Sequence, residues 1–397
     1  MSGVWVVGTG LAGHTLAREL RKLRPEVEIT LVTRDAGDFY SKPALSNAVS
    51  AGLAPEQLVQ RSAEQMAAQL QVRILQQATV ESLDTAGQRL CIDGEWHRYD
   101  QLVLALGADA VVPPVAGLAP DALLRLNDLD DYRALWARLG GARRIAVLGA
   151  GLIGCEIADD LSRAGHQVCL FDLAEHPLSR LVPREIGEGL RAALQARGIV
   201  CHFGAPVTHA QAQGAAWWLF TSRGDSTVAD VVLGAAGVRP RVELARQAGL
   251  LTDKGIVVDR RLKTSAERVY ALGDCAQIDG LLLPFVMPLM RSAKALARTL
   301  AGDPTDVVFP CMPVVAKTPS FPVVVAPVVD GSPFRWEKAG EGSGHRAWCK
   351  DANDQVRGFA LGGEAVGERF RWERSVAAWL AADAPISEAA PAQASNP

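Results

Sequence analysis

The chain has 397 residues, 49% of them hydrophobic and 21% charged, with a formal net charge of −3. That is enough apolar surface for two or three globular domains. The slight acidity, without any Lys/Arg-dense run, excludes nucleic acid as a general partner, and no apolar stretch approaches the ~18 residues of a membrane span.

In chain order, Met1-Ser2-Gly3 leads straight into the strand-like Val4-Trp5-Val6-Val7, so no secretion signal is expected and the expected compartment is the cytoplasm. Next come Gly8-Thr9-Gly10-Leu11-Ala12-Gly13 and a helix over 11–23. In such a run the first Gly allows a tight strand-to-helix turn, and the second lets backbone approach a pyrophosphate. The third lets helix pack closely on strand, and the phosphate rests on amides at the helix N-terminus. A strand over 27–33 ends in Leu31-Val32-Thr33-Arg34-Asp35. Thr33 stands where the ribose-binding acid usually lies, so recognition there is expected from groups around Thr33 and Arg34. A Pro-bounded loop follows, then a helix near 55–69, a strand at 72–75 and short strands within 78–99 broken by turns such as Asp93-Gly94. The apolar run 102–105 ends at Leu106-Gly107.

A helix near 129–139 and a strand at 144–148 restart the same scheme. The second fingerprint is Gly149-Ala150-Gly151-Leu152-Ile153-Gly154, with a helix over 152–164 and a strand over 167–171. Asp172 closes that strand 21 positions after Gly151 (172 − 151 = 21). A carboxylate there accepts hydrogen bonds from ribose hydroxyls and repels a 2′-phosphate, which favours NADH over NADPH; His176 and Arg180 are the nearby basic residues. A helix near 184–197 and strands running to 231–233 complete the unit. Two fingerprints in proper context imply two dinucleotides held at once, the layout of a flavoprotein that takes hydride from a nicotinamide. The fold expected is α/β with two doubly wound, Rossmann-like domains and a small α+β C-terminal domain. Beyond Lys317 prolines cluster, Gly342-Ser343-Gly344 reads as a turn, and the Ala/Pro/Ser-rich tail is expected to be disordered.

The seven cysteines are scattered without a CxxC or CxxxxC pair, which reads as reduced, mostly buried thiols. That pattern leaves no redox disulfide and no zinc or iron–sulfur ligand set, so no metal is expected.

The run from Thr264 through Tyr270-Ala271-Leu272-Gly273-Asp274 resembles the T-S-x-x-x-[IV]-Y-A-x-G-D element of FAD-dependent pyridine nucleotide–disulfide oxidoreductases. Ala105-Leu106-Gly107 and Ala235-Ala236-Gly237 resemble that family's crossings between domains. With Tyr40-Ser41-Lys42-Pro43, Gly149–Glu156, Val286–Met290 and Lys317-Thr318-Pro319, the chain is similar to the rubredoxin–NAD(+) reductase branch. Flavorubredoxin reductases and ferredoxin reductases of oxygenase systems are relatives of that branch. The resemblance implies a glutathione-reductase-like fold with FAD in the first unit and NAD(H) as co-substrate in the second. The implied division is 1–110 and 238–317 for FAD, 111–237 for NAD, 318–384 for the C-terminal domain and 385–397 for the tail. It also implies that Asp274 binds the ribityl chain, that Val80 is a cofactor-binding residue, that Val286 and Lys317 contact the flavin, and that Lys42 and Glu156 sit at the flavin–nicotinamide junction. There Glu156 orients nicotinamide or pairs with Lys42. Composition alone makes Lys42 a surface lysine and Glu156 an acid complementing its helix dipole.

Disulfide members carry paired cysteines where this chain reads Phe39–Ser46, so flavin alone is expected to relay electrons here. The implied acceptor is rubredoxin, an acidic one-electron carrier; flavorubredoxin or a [2Fe–2S] ferredoxin is the alternative. A different class is a slow, NADH-sensing flavoprotein of apoptosis-inducing-factor type. Pro288 reads as first-turn proline of a helix whose N-terminus, by resemblance, faces the flavin. Arg291, Lys294 and Arg298 share one face of it, either as a basic docking surface or as a solvated face. A monomer is expected, as for comparable reductases that serve small carriers.

Overall fold

The computed structural model describes residues 3–119, 121–339 and 345–382. Two five-stranded parallel sheets repeat one plan. In the first, Val4–Val7 lies between Ile29–Val32 and Gln101–Leu104, with Arg73–Leu75 and Val269–Ala271 at the edges. In the second, Arg144–Leu148 lies between Gln167–Asp172 and Val231–Gly234, with Val200–Phe203 and Leu123–Leu124 outside them. The central strands are almost wholly buried and nearly continuous in Val, Ile, Leu and Ala, as a parallel sheet covered on both faces requires. Helix Leu11–Leu23 packs beside helix Val286–Leu300 on the first sheet, and helix Leu152–Arg163 covers the second.

Each domain also carries a three-stranded antiparallel sheet, Val80–Asp84 with Arg89–Ile92 and Glu95–Arg98, and Val207–Gln213 with Ala216–Thr221 and Ser226–Ala229. The expected turn at Asp93-Gly94 has φ of 49° and 85°, the two-residue hairpin geometry that matches strand twist. Ala108–Ala110 pairs antiparallel with Val238–Pro240, a ribbon that follows the two crossing segments and ties the domains together.

The single helix expected near 55–69 is divided. Pro55–Leu58 is one turn, Val59–Arg61 pairs with Phe39–Tyr40, and a new helix runs over Ala63–Leu70. Ser62 causes the break. Its hydroxyl accepts from the Gln65 amide while the Gln65 side chain accepts from the Ser62 amide, a reciprocal cap that starts a helix.

The third layer is an antiparallel sheet in the order Val314–Ala316, Val323–Ala326, Val356–Gly362, Arg346–Lys350, Arg335–Lys338. It begins ahead of the expected boundary at 318. One face, with Ala316, Val323, Val325 and Ala360, packs on the second domain and on Leu45, Ala48 and Leu58. The other holds Phe359 and a Trp348–Trp372 stack with centroids 3.7 Å apart. Phe309 then pairs with Leu380, and both sit in the core of the first domain. The turn expected at 342–344 and the tail from 385 lie outside the described residues. Among the described residues no helix is long and apolar enough to cross a membrane.

Candidate active site

The two glycine loops open onto one cleft of about 1940 Å³, walled also by the interdomain ribbon and by Val314–Val315 of the third domain. Gly8 and Gly149 take φ of +120° and +117°, and a Cβ on either would overlap the carbonyl of a crossing segment, Ala105 or Ala235. Only glycine allows strand and crossing to approach this closely. Gly13 and Gly154 pack beneath the loops, where a Cβ would overlap the carbonyls of Gly8 and Gly149. Gly10 and Gly151 are helix N-caps without a side-chain cap, no acid follows in either first turn, and a Cβ on either meets nothing within 4 Å. The first-turn amides therefore face open cleft and suit a diphosphate, so the donor set fits a dinucleotide at both ends.

At the first end Thr9, Leu11, Ala12, Thr33, Arg34 and Val80 line the wall. The Thr33 hydroxyl donates to Asp35 at 2.7 Å, and Asp35 also accepts from the Gly37 amide. Arg34 is exposed and lies 4.0 Å from Asp109, whose carboxylate also accepts from Arg241 Nε at 2.6 Å. At the second end Asp172 faces the cleft, and its carboxylate accepts from the amides of Ala150 and Ala174 at 2.5 and 2.8 Å. It thus fixes the glycine loop as well as lining the site. Arg180 lines the cleft beside it; His176 does not.

Between the ends lie Lys42, Asp274 and Glu156. Burial lowers the pKa of Lys42 and raises that of Asp274, and each charge partly offsets the effect on the other. Lys42 does not pair with Glu156: its ammonium donates to Asn127 Oδ1 at 2.8 Å. The cation beside Glu156 is Lys317, whose ammonium lies 3.4 Å from Oε2 and also donates to the Pro43 carbonyl. Ser46 donates to the same Oε2 at 2.5 Å, and the Lys317 amide donates to Oε1 at 2.8 Å. The reason is topological. Glu156 points from the second domain toward Ser46, Asn47 and the third sheet, while Lys42 turns toward Asn127.

Helix Val286–Leu300 begins at the cleft without a side-chain cap, and Pro288 lies in its first turn. Val286, Met287 and Val315, between 39% and 53% exposed, form an apolar rim there. Arg291, Lys294 and Arg298 are exposed but do not line the cleft, and Arg298 is paired with Asp303 at 2.6 Å. All seven cysteines are free, none is fully exposed and none lines the cleft. The Cys275 thiol, beside Asp274, is pushed up to about 11 by burial. Asn127, Ser46 and Arg241 were not singled out from sequence, because no motif marks them and each acts through partners far along the chain.

Residues 2–297 match the pyridine nucleotide-disulphide oxidoreductase family model, and residues 306–376 match the rubredoxin binding C-terminal domain model. The chain is 42% identical to a rubredoxin-NAD(+) reductase of Alcanivorax borkumensis over 95% of its own length and 99% of the relative's. It is 39% identical to the nitric oxide reductase FlRd-NAD(+) reductase of Aeromonas hydrophila, covering 92% of this chain and 94% of that one. Among solved structures, the ferredoxin reductase for the CYP199A2 system from Rhodopseudomonas palustris superposes with a TM-score of 0.83 at 27% identity, covering 92% of each chain.

Proposed function

The chain belongs to the pyridine nucleotide-disulphide oxidoreductase family, and from that membership we propose that it is a rubredoxin reductase that uses NADH and FAD. The observation that carries this is the third domain: residues 306–376 match a rubredoxin-binding module, and its strand Val314–Ala316 forms part of the cleft wall. The docking partner therefore meets the same cavity that the two glycine loops enter.

Under this reading the first-turn amides after Gly10 hold the FAD diphosphate, and those after Gly151 hold that of NADH. Asp274 would accept from the ribityl hydroxyls, Val286 and Lys317 would lie beside the flavin, and Val80 would line the adenosine end next to Thr33 and Arg34. Bound FAD converts the two-electron hydride of NADH into the single electrons that an iron carrier accepts. The chain's own residues supply position and field. Lys42 places a positive charge at the junction, as does the N-terminus of helix Val286–Leu300. Glu156 fixes Lys317 and Ser46 around the nicotinamide entrance, and Asp172 selects the unphosphorylated ribose. No thiol lies in the path.

The exposed apolar rim of Val286, Met287 and Val315, with the exposed cations Arg291 and Lys294 farther along helix Val286–Leu300, supports docking of an acidic rubredoxin there. Flavorubredoxin is the alternative acceptor, because the Aeromonas relative aligns over nearly the same span. Stopped-flow reoxidation with rubredoxin, flavorubredoxin and a [2Fe–2S] ferredoxin tests the choice. Fastest transfer to rubredoxin, slowed by salt, supports the reading; faster transfer to either other carrier overturns it.

A further inference from the structure

We propose that Asn127 is a positioning residue that holds the Lys42 ammonium at the cleft junction without cancelling its charge; this rests on the reading that FAD occupies the first site. Lys42 opens the short 3₁₀ segment Lys42–Asn47, and Asn127 Oδ1, at 2.8 Å, is the one protein acceptor of its ammonium among the described residues. Asn127 is 6% exposed, and each polar group of its side chain is committed. Its Nδ2 donates to the Ala108 carbonyl at 3.0 Å, so Oδ1 has to face Lys42; a flipped amide would set oxygen against carbonyl and N–H against ammonium.

Its backbone is fixed as well. The Asn127 amide donates to Asp131 at 2.9 Å, and Asp128 caps helix Leu129–Leu139 through the Asp131 amide at 2.9 Å. One step on, the Leu129 amide donates to the Tyr40 hydroxyl at 3.1 Å. Segment 127–129 therefore grips segment 40–42 at two points, while Ala108 anchors it to the interdomain ribbon. The residue type matters as much as the place. A carboxylate at 127 would form a contact ion pair and cancel much of the field that Lys42 projects into the cleft. An amide oxygen holds the ammonium as a neutral acceptor. Of the carboxylates that act on Lys42 at longer range, Asp274 acts most strongly from across the cleft junction, and those of Asp128 and Asp131 are engaged by backbone amides.

The test uses Asn127→Leu and Asn127→Asp, each in the native and the Lys42→Met background, compared at matched flavin content. The readouts are the midpoint potential of the bound flavin and its single-turnover reduction by NADH. Asn127→Leu is expected to lower the potential and slow reduction at saturating NADH by about fivefold, within the range that residues in direct contact show in double-mutant cycles. The NADH dissociation constant should change little, and in the Lys42→Met background Asn127→Leu should change neither readout. Asn127→Asp, which differs least in shape, should lower the potential further than Asn127→Leu. A native potential in Asn127→Leu, or an equal shift with and without Lys42, overturns the proposal. Failure of the wild-type protein to take up FAD would instead sink the underlying reading, before any variant is made.

Discussion

The carboxylate of Glu156 holds Lys317 at two points: Oε1 accepts from its amide at 2.8 Å, and Oε2 lies 3.4 Å from its ammonium. One side chain of the second domain is thereby tied to the third domain and, through Ser46, to the first. Because the Lys317 side chain is 41% exposed, the ion pair itself contributes little. The larger loss on removing Glu156 is the donors left without an acceptor, about 1–3 kcal/mol. Glu156→Ala should therefore lower the thermal midpoint clearly more than Glu156→Gln, which keeps an acceptor oxygen. Equal midpoints would remove this junction from the stability account.

Asp159 and Asp160 continue the same face of helix Leu152–Arg163, three and four residues past Glu156. Both are buried: Asp159 accepts from the Ser320 hydroxyl, and Asp160 from the Ser50 hydroxyl and the Val49 amide. The first bond reaches the third domain and the others reach the first. Asp159→Ala should accelerate limited proteolysis of the segment 306–376 while leaving flavin reduction by NADH unchanged. Native proteolytic resistance would show that apolar packing alone holds the third domain.

His14, at 1% exposure, packs edge-on against Phe39 with neither ring nitrogen hydrogen-bonded. Burial holds its pKa at about 4, below the ordinary 6.5; the Gly37 backbone offsets part of this but lacks hydrogen-bond geometry. Between those values the unfolded chain binds a proton that the folded chain refuses, so stability should fall as pH drops from about 6.5 toward 4, by about 3 kcal/mol in all. Urea denaturation against pH measures it. His14→Phe should flatten the dependence in that window, and an unchanged slope would assign it to other groups.

Asp172→Asn keeps an acceptor for the glycine-loop amides but removes the charge. The preference for NADH over NADPH, as a ratio of kcat/KM, should shift by roughly 10- to 100-fold toward NADPH. Arg180, already on that wall, then has no competing carboxylate at the strand end. An unchanged ratio would mean that Asp172 serves the loop alone.

What could be read from sequence was what local backbone chemistry dictates. The glycine loops, their strands and Asp172 follow from turns and close approaches within some thirty residues. Those local rules alone locate the C-terminal ends of both sheets. The division of the 55–69 segment was legible in principle, since Ser62 and Gln65 form a capping pair, but the apolar pattern ran through them. Asn127, Asp159 and Asp160 were not legible. Their partners lie 85, 161 and 110 positions away, and only tertiary packing distinguishes them from ordinary helix-surface polar residues.

Under the proposed function, one flavin relays electrons without help from sulfur. Anaerobic titration of the purified protein with NADH, followed by flavin absorbance, tests it most directly. Full bleaching at one NADH per flavin, with rapid return of colour on adding oxidised rubredoxin, is the predicted result. Uptake of two NADH per flavin, or a protein that carries no flavin, would contradict it.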